Sequence, residues 1–383
     1  MKNFKISIFC LFFLGFSIVN VNAMQRGYVN LNGMCINRGC LVLSNGEIFI
    51  DGQPVSMEDL NANLGEVTRQ DRSNFLAEAE NRVFGIKLNN MGKVFLHQGE
   101  TESLVIEANE KILPKLITRV NRGILELGLE SISFIGNITL NYYITLRDIR
   151  MISCGNYGEI ISDGIVANDL RIALANSGKL NISNDCNIRG PLNIEISNYG
   201  EMSANNIVAN DLRLHLTGSS KLNIFNHCNI RGPLNIDISN YGECRILRLI
   251  SNENCIETGS LNINGSGNLS IGGNPSFGNL SINVNNYGEL CISNFAASML
   301  NVSITGSAKV SARGGDASAC AVDNQRVGVS NYGEYNAEDL FCNDSTVHVS
   351  GSAKAFISTQ NLRNYSVSNY GTLTSNGRVF SRE

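Results

Sequence analysis

From Leu180 onward the chain alternates. Leu180, Ile182, Cys186, Ile188, Leu192, Ile194, Ile196 and Met202 share one parity, completed by Asn184, Gly190, Asn198 and Gly200. A period of two is the signature of strands, whose successive side chains point to opposite faces, and helical spacing fits it poorly. The same parity runs from Leu170, Ile172 and Leu174 through Asn176 and Gly178. Asn and Gly most easily take the left-handed backbone that a tight corner needs, so these positions bend the chain while their neighbours keep facing inward.

The corners repeat. Asn-Tyr-Gly returns six times, starting at Asn156, Asn198, Asn240, Asn286, Asn331 and Asn369. Between successive copies lies a second kind of tip, starting at Asn176, Gly218, Gly265, Gly306 and Gly351. The two series mark a unit of about 21 residues, at the lower edge of the range for stacked repeats. One such unit cannot bury its own apolar face, whereas stacked rungs share a continuous core. The expected fold is all-β, a β-solenoid of about eleven rungs. A near-duplicate of Ile165–Glu201 at Ile207–Glu243, offset by 42 residues, makes two rungs the repeating unit. Shared residues such as Arg189 and Arg231, or Asp169 and Asp211, are then rung-to-rung architecture. Pro191 and Pro233 mark turns.

Just after each bend stand Glu159, Lys179, Glu201, Lys221, Glu243, Asn268, Glu289, Lys309, Glu334 and Lys354 in order. Equivalent residues of adjacent parallel rungs lie about 4.8 Å apart, so identical charges would repel and alternating ones attract. The ladder therefore penalises register slips; exposed pairs are worth only about 0–1 kcal/mol each, so its contribution is specificity. Tyrosine alternates with serine in a second column: Tyr157, Tyr199, Tyr241, Tyr287, Tyr332 and Tyr370. Their rings fall roughly 9.6 Å apart, twice the strand spacing. They form a candidate binding strip for a glycan or a protein partner. The competing reading is that each ring covers the neighbouring serine rung.

Composition sets the compartment. Lys2 and Lys5 precede an apolar run from Ile6 to Val19 and small residues ending at Ala23, the pattern of a secretory signal peptide over residues 1–23. The full chain carries a formal net charge of −4, and removing the two signal lysines leaves −6. With no basic patch, nucleic acid is excluded as the expected partner. No further stretch is apolar and long enough for a membrane helix. Of 11 cysteines, ten follow the signal. Cys186 and Cys228 sit at one position two rungs apart, roughly 9.6 Å, beyond the ~7 Å reach of a disulfide, and are expected as buried free thiols. Cys35 and Cys40 are the one local pair suited to a disulfide; zinc is the competing reading, but four ligands at finger or ribbon spacing are absent.

Before the array, residues 24–60 hold two strand runs around Asn45-Gly46, a hairpin pattern. Residues 61–81 are polar and predict a linker or short helix. Residues 82–150 carry less regular strand runs, expected to cap the solenoid of residues 151–383. In this capping region the order Phe84-Gly85-Ile86-Lys87-Leu88, Gly92-Lys93-Val94, Gln98-Gly99-Glu100, Leu104-Val105-Ile106-Glu107-Ala108 and Arg122-Gly123-Ile124-Leu125-Glu126-Leu127 resembles the head GIN domain of auto-transporter adhesins. The resemblance spans roughly Asn81 to Arg382. It implies a right-handed parallel β-helix that is exported, adhesive and without catalytic residues to carry over. Asn-Tyr-Gly-Glu replaces alternate Gly-Ser-Gly-Asp tips of the family, and the array is longer than its usual domain. No translocator barrel follows Asn376–Glu383, which argues against self-transport.

An enzyme on this scaffold needs paired carboxylates clustered on one face, one with a raised pKa. The outward acids are instead separated by lysines along the whole axis. His97, His215, His227 and His348 lack metal spacing, and His227 is expected to face solvent while Cys228 faces in. No cofactor and no metal site is expected. The leading expectation is a non-catalytic exported protein, secreted, periplasmic or at the cell surface, that binds a glycan or protein ligand. The alternative is an envelope scaffold that self-associates as a homo-oligomer. A carbohydrate-active enzyme is the third.

Overall fold

The computed structural model describes residues 29–31, 34–36, 41–44, 47–50, 53–55, 64–79, 82–130, 138–251, 255–314 and 321–381. Residues 1–23, where a signal peptide is expected, lie outside the described residues, as do Cys40 and the side chain of Cys35, so the expected disulfide does too. The described residues fall into two compact units. One takes residues up to Arg69 with Glu107–Leu116 and Leu129–Leu140; the other takes Gln70–Ile106, Ile117–Gly128 and everything from Asn141.

In the smaller unit, Leu41–Ser44 pairs antiparallel with Glu47–Ile50, Ser44 standing opposite Glu47, and Glu47–Ile50 pairs in turn with Gln53–Val55. Between residues 61 and 81 the described chain forms a strand, Val67–Asp71, and a one-turn helix, Ser73–Ala77.

The larger unit is a solenoid of parallel strands with about ten turns and a spacing of about 21 residues. The eleven corner tips counted in the sequence delimit those ten turns. Each rung has three strand runs. Around one rung they are the start of Lys179–Ile188, its end beyond a register shift between Ile182 and Asp185, and Pro191–Ile196. Inward residues stack on their equivalents. Leu174, Ile196, Leu216, Ile238, Ile263, Val284 and Ile304 form one such column, all 2% exposed or less. Full burial of each contributes about 1.5–3 kcal/mol, which is why the apolar parity persists through every turn. The parity is lost where the register shifts: Asn184 is exposed, and the inward phase resumes at Cys186.

The stack does not follow sequence order at its first rungs. Gly85–Leu88 pairs on one side with Ile124–Leu127 and on the other with Met151–Cys154. Lys93–Gln98 likewise lies between Asn141–Leu146 and Glu159–Ser162. The chain therefore lays down an inner rung, leaves it, adds the rung outside it, and returns to start the regular array. At the far end, Arg378–Ser381 turns back antiparallel to Thr372–Ser375. There Phe380 meets Tyr365 with ring centroids 4.8 Å apart.

Candidate functional site

The repeated corner is built on one left-handed residue per turn. Asn156, Asn176, Asn198, Asn240, Asn286, Asn331 and Asn369 have φ between 51° and 63°; Gly218, Gly265, Gly306 and Gly351 take the intervening positions with φ between 71° and 85°. Asn tolerates this region better than other side chains, and Gly enters it freely. Close approach reinforces the choice at Gly218, where a Cβ would lie 2.8 Å from the Asn198 Cα. Corners also bind one another. The Tyr199 amide donates to the Asn176 carbonyl at 2.8 Å and the Tyr241 amide to the Gly218 carbonyl at 2.9 Å. Asn198 Nδ2 donates to Asn176 Oδ1, and Asn176 Nδ2 to Asn156 Oδ1, both at 2.9 Å.

These corners hold the six tyrosines in one column with their rings in solvent. Tyr157, Tyr199, Tyr241, Tyr287 and Tyr332 are 64–72% exposed, and Tyr370 is 88% exposed. Directly behind each ring the next residue is glycine, and at Gly200 a Cβ would lie 2.7 Å from Ile196 Cγ2, so a larger residue would have to displace that side chain. Each tyrosine thus stands on a backbone fixed from below by the core.

The charged column lies in continuous register, Glu159 to Lys179 to Glu201 to Lys221 to Glu243 to Asn268 to Glu289 to Lys309 to Glu334 to Lys354. Ion pairs close between Lys179 Nζ and Glu201 at 3.0 Å and between Lys221 Nζ and Glu243 at 3.1 Å. The column also has a member that the sequence reading missed. Lys93 pairs in register with Glu159, at 3.3 Å, one rung before the array begins. Its signal was present: Asn90-Met91-Gly92-Lys93 has the layout of Asn176-Ser177-Gly178-Lys179, with Met91 at the tyrosine position. The long excursion from Gly99 to Arg150 hid the equivalence.

Burial keeps four thiols of the core protonated. Cys154, Cys186, Cys228 and Cys244 are buried and free. Cys186 and Cys228 are separated in their column by Ile207. Burial pushes the Cys154 thiol up to about 11 and those of Cys186 and Cys244 up to about 12, and raises Cys228 further still. Thiols kept protonated in this way are poor nucleophiles and poor metal ligands. His227 is exposed beside the buried Cys228. His97 Nδ1 and Asp163 Oδ2 make a 2.5 Å contact away from the tyrosine edge. No helix among the described residues is long and apolar enough to cross a membrane.

The face leading into the tyrosine corners carries two shallow grooves with polar side chains along them. One groove of about 360 Å³ is lined by His215, Asp237, Ser239, Asn262, Asn264 and Asn283, among others. A second, of about 320 Å³, shares Asn283 and continues to Ser303, Arg326, Thr346 and His348.

The family model described as "Putative auto-transporter adhesin, head GIN domain" matches residues 84–247 and 254–378. Among solved structures, a "putative adhesin" from Parabacteroides merdae aligns at 12% identity over 81% of this chain and 96% of that one, with a TM-score of 0.38. A "putative lipid binding protein" from Parabacteroides distasonis aligns at 14% identity over 76% of this chain and 97% of that one, with a TM-score of 0.43. No protein of curated function matches the sequence.

Proposed function

The chain belongs to the head GIN domain family of auto-transporter adhesins, and from that premise we propose that it is an exported, non-catalytic adhesive protein that contacts its target through the tyrosine edge. One observation carries this reading: six tyrosines occupy equivalent corners of a rigid stack, every one with at least 64% of its surface in solvent. Folded proteins rarely leave aligned aromatics uncovered, and aromatic rings combine a large contact area with little side-chain entropy to lose. Corners fixed by left-handed residues and inter-rung hydrogen bonds present those rings with their spacing already set, which lowers the ordering cost of binding. Catalysis has no support in the edge, whose carboxylates alternate with lysines.

Protease treatment of intact producing cells tests the placement. Cleavage of the mature chain while a periplasmic marker survives is the expected result. Protection until lysis would overturn an adhesive role and favour an envelope scaffold. A triple variant, Tyr199→Ala/Tyr241→Ala/Tyr287→Ala, is expected to remain folded and to lose adhesion.

A further inference from the structure

The face that runs into the tyrosine corners carries an unusual concentration of one chemistry. In three consecutive rungs its outward positions are Ser260, Asn262 and Asn264, then Ser281, Asn283 and Asn285, then Asn301, Ser303 and Thr305. Register places Ser260 beside Ser281 and Asn301, and Asn262 beside Asn283 and Ser303. All nine are amides or hydroxyls, and none is charged. Asp237 and His215 flank the patch on one side, Arg326 and His348 on the other, so the two grooves join across its centre at Asn283.

The side chains of this patch are held in ladders along the stack. Asn262 Nδ2 donates to Asp237 Oδ1 at 2.7 Å, Asn283 Nδ2 to Asn262 Oδ1 at 2.9 Å, and Thr305 Oγ1 to Asn285 Oδ1 at 2.6 Å. The Asn283–Asn262 bond takes one N–H of Asn283, leaving that side chain its second N–H and its oxygen, while Asn262 also donates to Ser260 Oγ at 3.2 Å. The patch therefore presents fixed amide and hydroxyl groups every ~4.8 Å along the axis. Ser239 and Asn285 stand two residues before Tyr241 and Tyr287, so a ring borders this face at every second rung, roughly every 9.6 Å.

We propose that this face, with Tyr241 and Tyr287 on its rim, binds a linear, uncharged polysaccharide lying parallel to the stack axis. The proposal rests on the adhesive reading above and supplies the class of its ligand. Sugar hydroxyls are matched by groups that both donate and accept, while the apolar faces of sugar rings suit the exposed tyrosines. A polyanion finds a single arginine here and gains no counter-charge from the nine central positions, whereas a neutral chain costs less to desolvate than a charged one. Because three successive rungs repeat the environment, each sugar added along them meets the same kind of subsite, and affinity grows with chain length until the patch is filled.

Titration calorimetry of the mature protein tests this with β-1,4-linked glucose and N-acetylglucosamine oligomers of graded length, and oligogalacturonates as anionic counterparts. At least one neutral series is expected to gain tenfold or more in affinity from the shortest to the longest member, with the anionic series weaker throughout. Asn283→Asp, which places a carboxylate where the two grooves meet, is expected to weaken the neutral ligand at least tenfold while the chain stays folded, its unfolding midpoint falling only slightly from loss of the bond to Asn262. Absence of neutral binding, affinity independent of length, tighter binding of oligogalacturonate, or indifference to Asn283→Asp would each overturn the proposal. Adhesion that depends on the tyrosines but persists without neutral-oligosaccharide binding would overturn this inference and leave the adhesive function standing. Loss of both would remove both.

Discussion

Two of the three bends in each rung obey different rules. At the tyrosine bend every turn has a left-handed Asn or Gly, and the strands on either side stay in register from rung to rung. At the next bend the register shifts, between Ile182 and Asp185, Ala204 and Asn206, Ile224 and Cys228, and Ile246 and Leu249. The residues there share no type: Ser183, Asn205, Phe225 and Leu247 occupy successive turns, the last two about half exposed. A corner closed by one left-handed residue tolerates few substitutes, whereas a bulge absorbs one residue more or less. One edge of the solenoid is thus held constant and the other is left free to vary. The constant edge is the one that carries the tyrosines.

The sharpest break of this contrast is Gly218→Val. It forces a β-branched residue to positive φ and drives a Cβ against the Asn198 backbone, and the expected cost is about 3 kcal/mol or more in urea unfolding. Its partner experiment is Asn205→Val at the variable bend. There the side chain is half-buried and loses its bond to the Ser183 carbonyl, so the expected cost is about 1 kcal/mol. Equal losses at the two sites would erase the distinction.

Alkaline pH probes the core behind both bends, since Cys154 and Cys244 flank tyrosine corners while Cys186 and Cys228 follow the variable bend. All four thiols titrate higher in the folded chain than in the unfolded one because burial disfavours the thiolate. Unfolded cysteine ionises near ~8.5, so the stability they contribute is fully present below that pH. It is lost as pH rises through about 11 for Cys154 and about 12 for Cys186 and Cys244. Each thiol contributes a slope of up to about 1.4 kcal/mol per pH unit in that window. Denaturant midpoints measured from neutral to alkaline pH are expected to fall, and Cys186→Ala/Cys228→Ala to flatten the fall. A flat profile in the parent protein would contradict the burial of these groups.

A smaller effect separates specificity from stability on the constant edge. Lys221→Glu places three carboxylates in successive rungs, Glu201, the new acid and Glu243. The expected loss is about 1 kcal/mol or less, and added salt reduces it. A salt-independent loss would point to packing of the lysine stem instead of charge.

The difference between the bends also explains what could be read from the chain. Left-handed corners restrict residue identity to Asn and Gly, and stacking imposes alternating charge, so the repeat, the corner column and the solenoid were legible without coordinates. The variable bend left a weaker trace, because its residues change from turn to turn, from Asn205 and Phe225 to the left-handed Gly273 and Asn294. Lys93 was missed because its place in the ladder depends on a rung that the chain leaves and later flanks from both sides. The neutral face was equally hidden. Ser260, Asn283 and Thr305 are unremarkable in sequence, and only the register of three rungs brings them to one surface.

The most direct test compares the two edges as contact surfaces. Beads coated with the mature protein would be counted on a panel of immobilised polysaccharides and proteins, using the parent chain, Tyr199→Ala/Tyr241→Ala/Tyr287→Ala, and Phe225→Ser/Leu247→Ser. The account predicts that the tyrosine variant loses adhesion to the surface the parent binds, while the variable-bend variant keeps it and both remain folded. Adhesion retained without the tyrosines and lost without Phe225 and Leu247 would contradict the assignment of function to the constant edge.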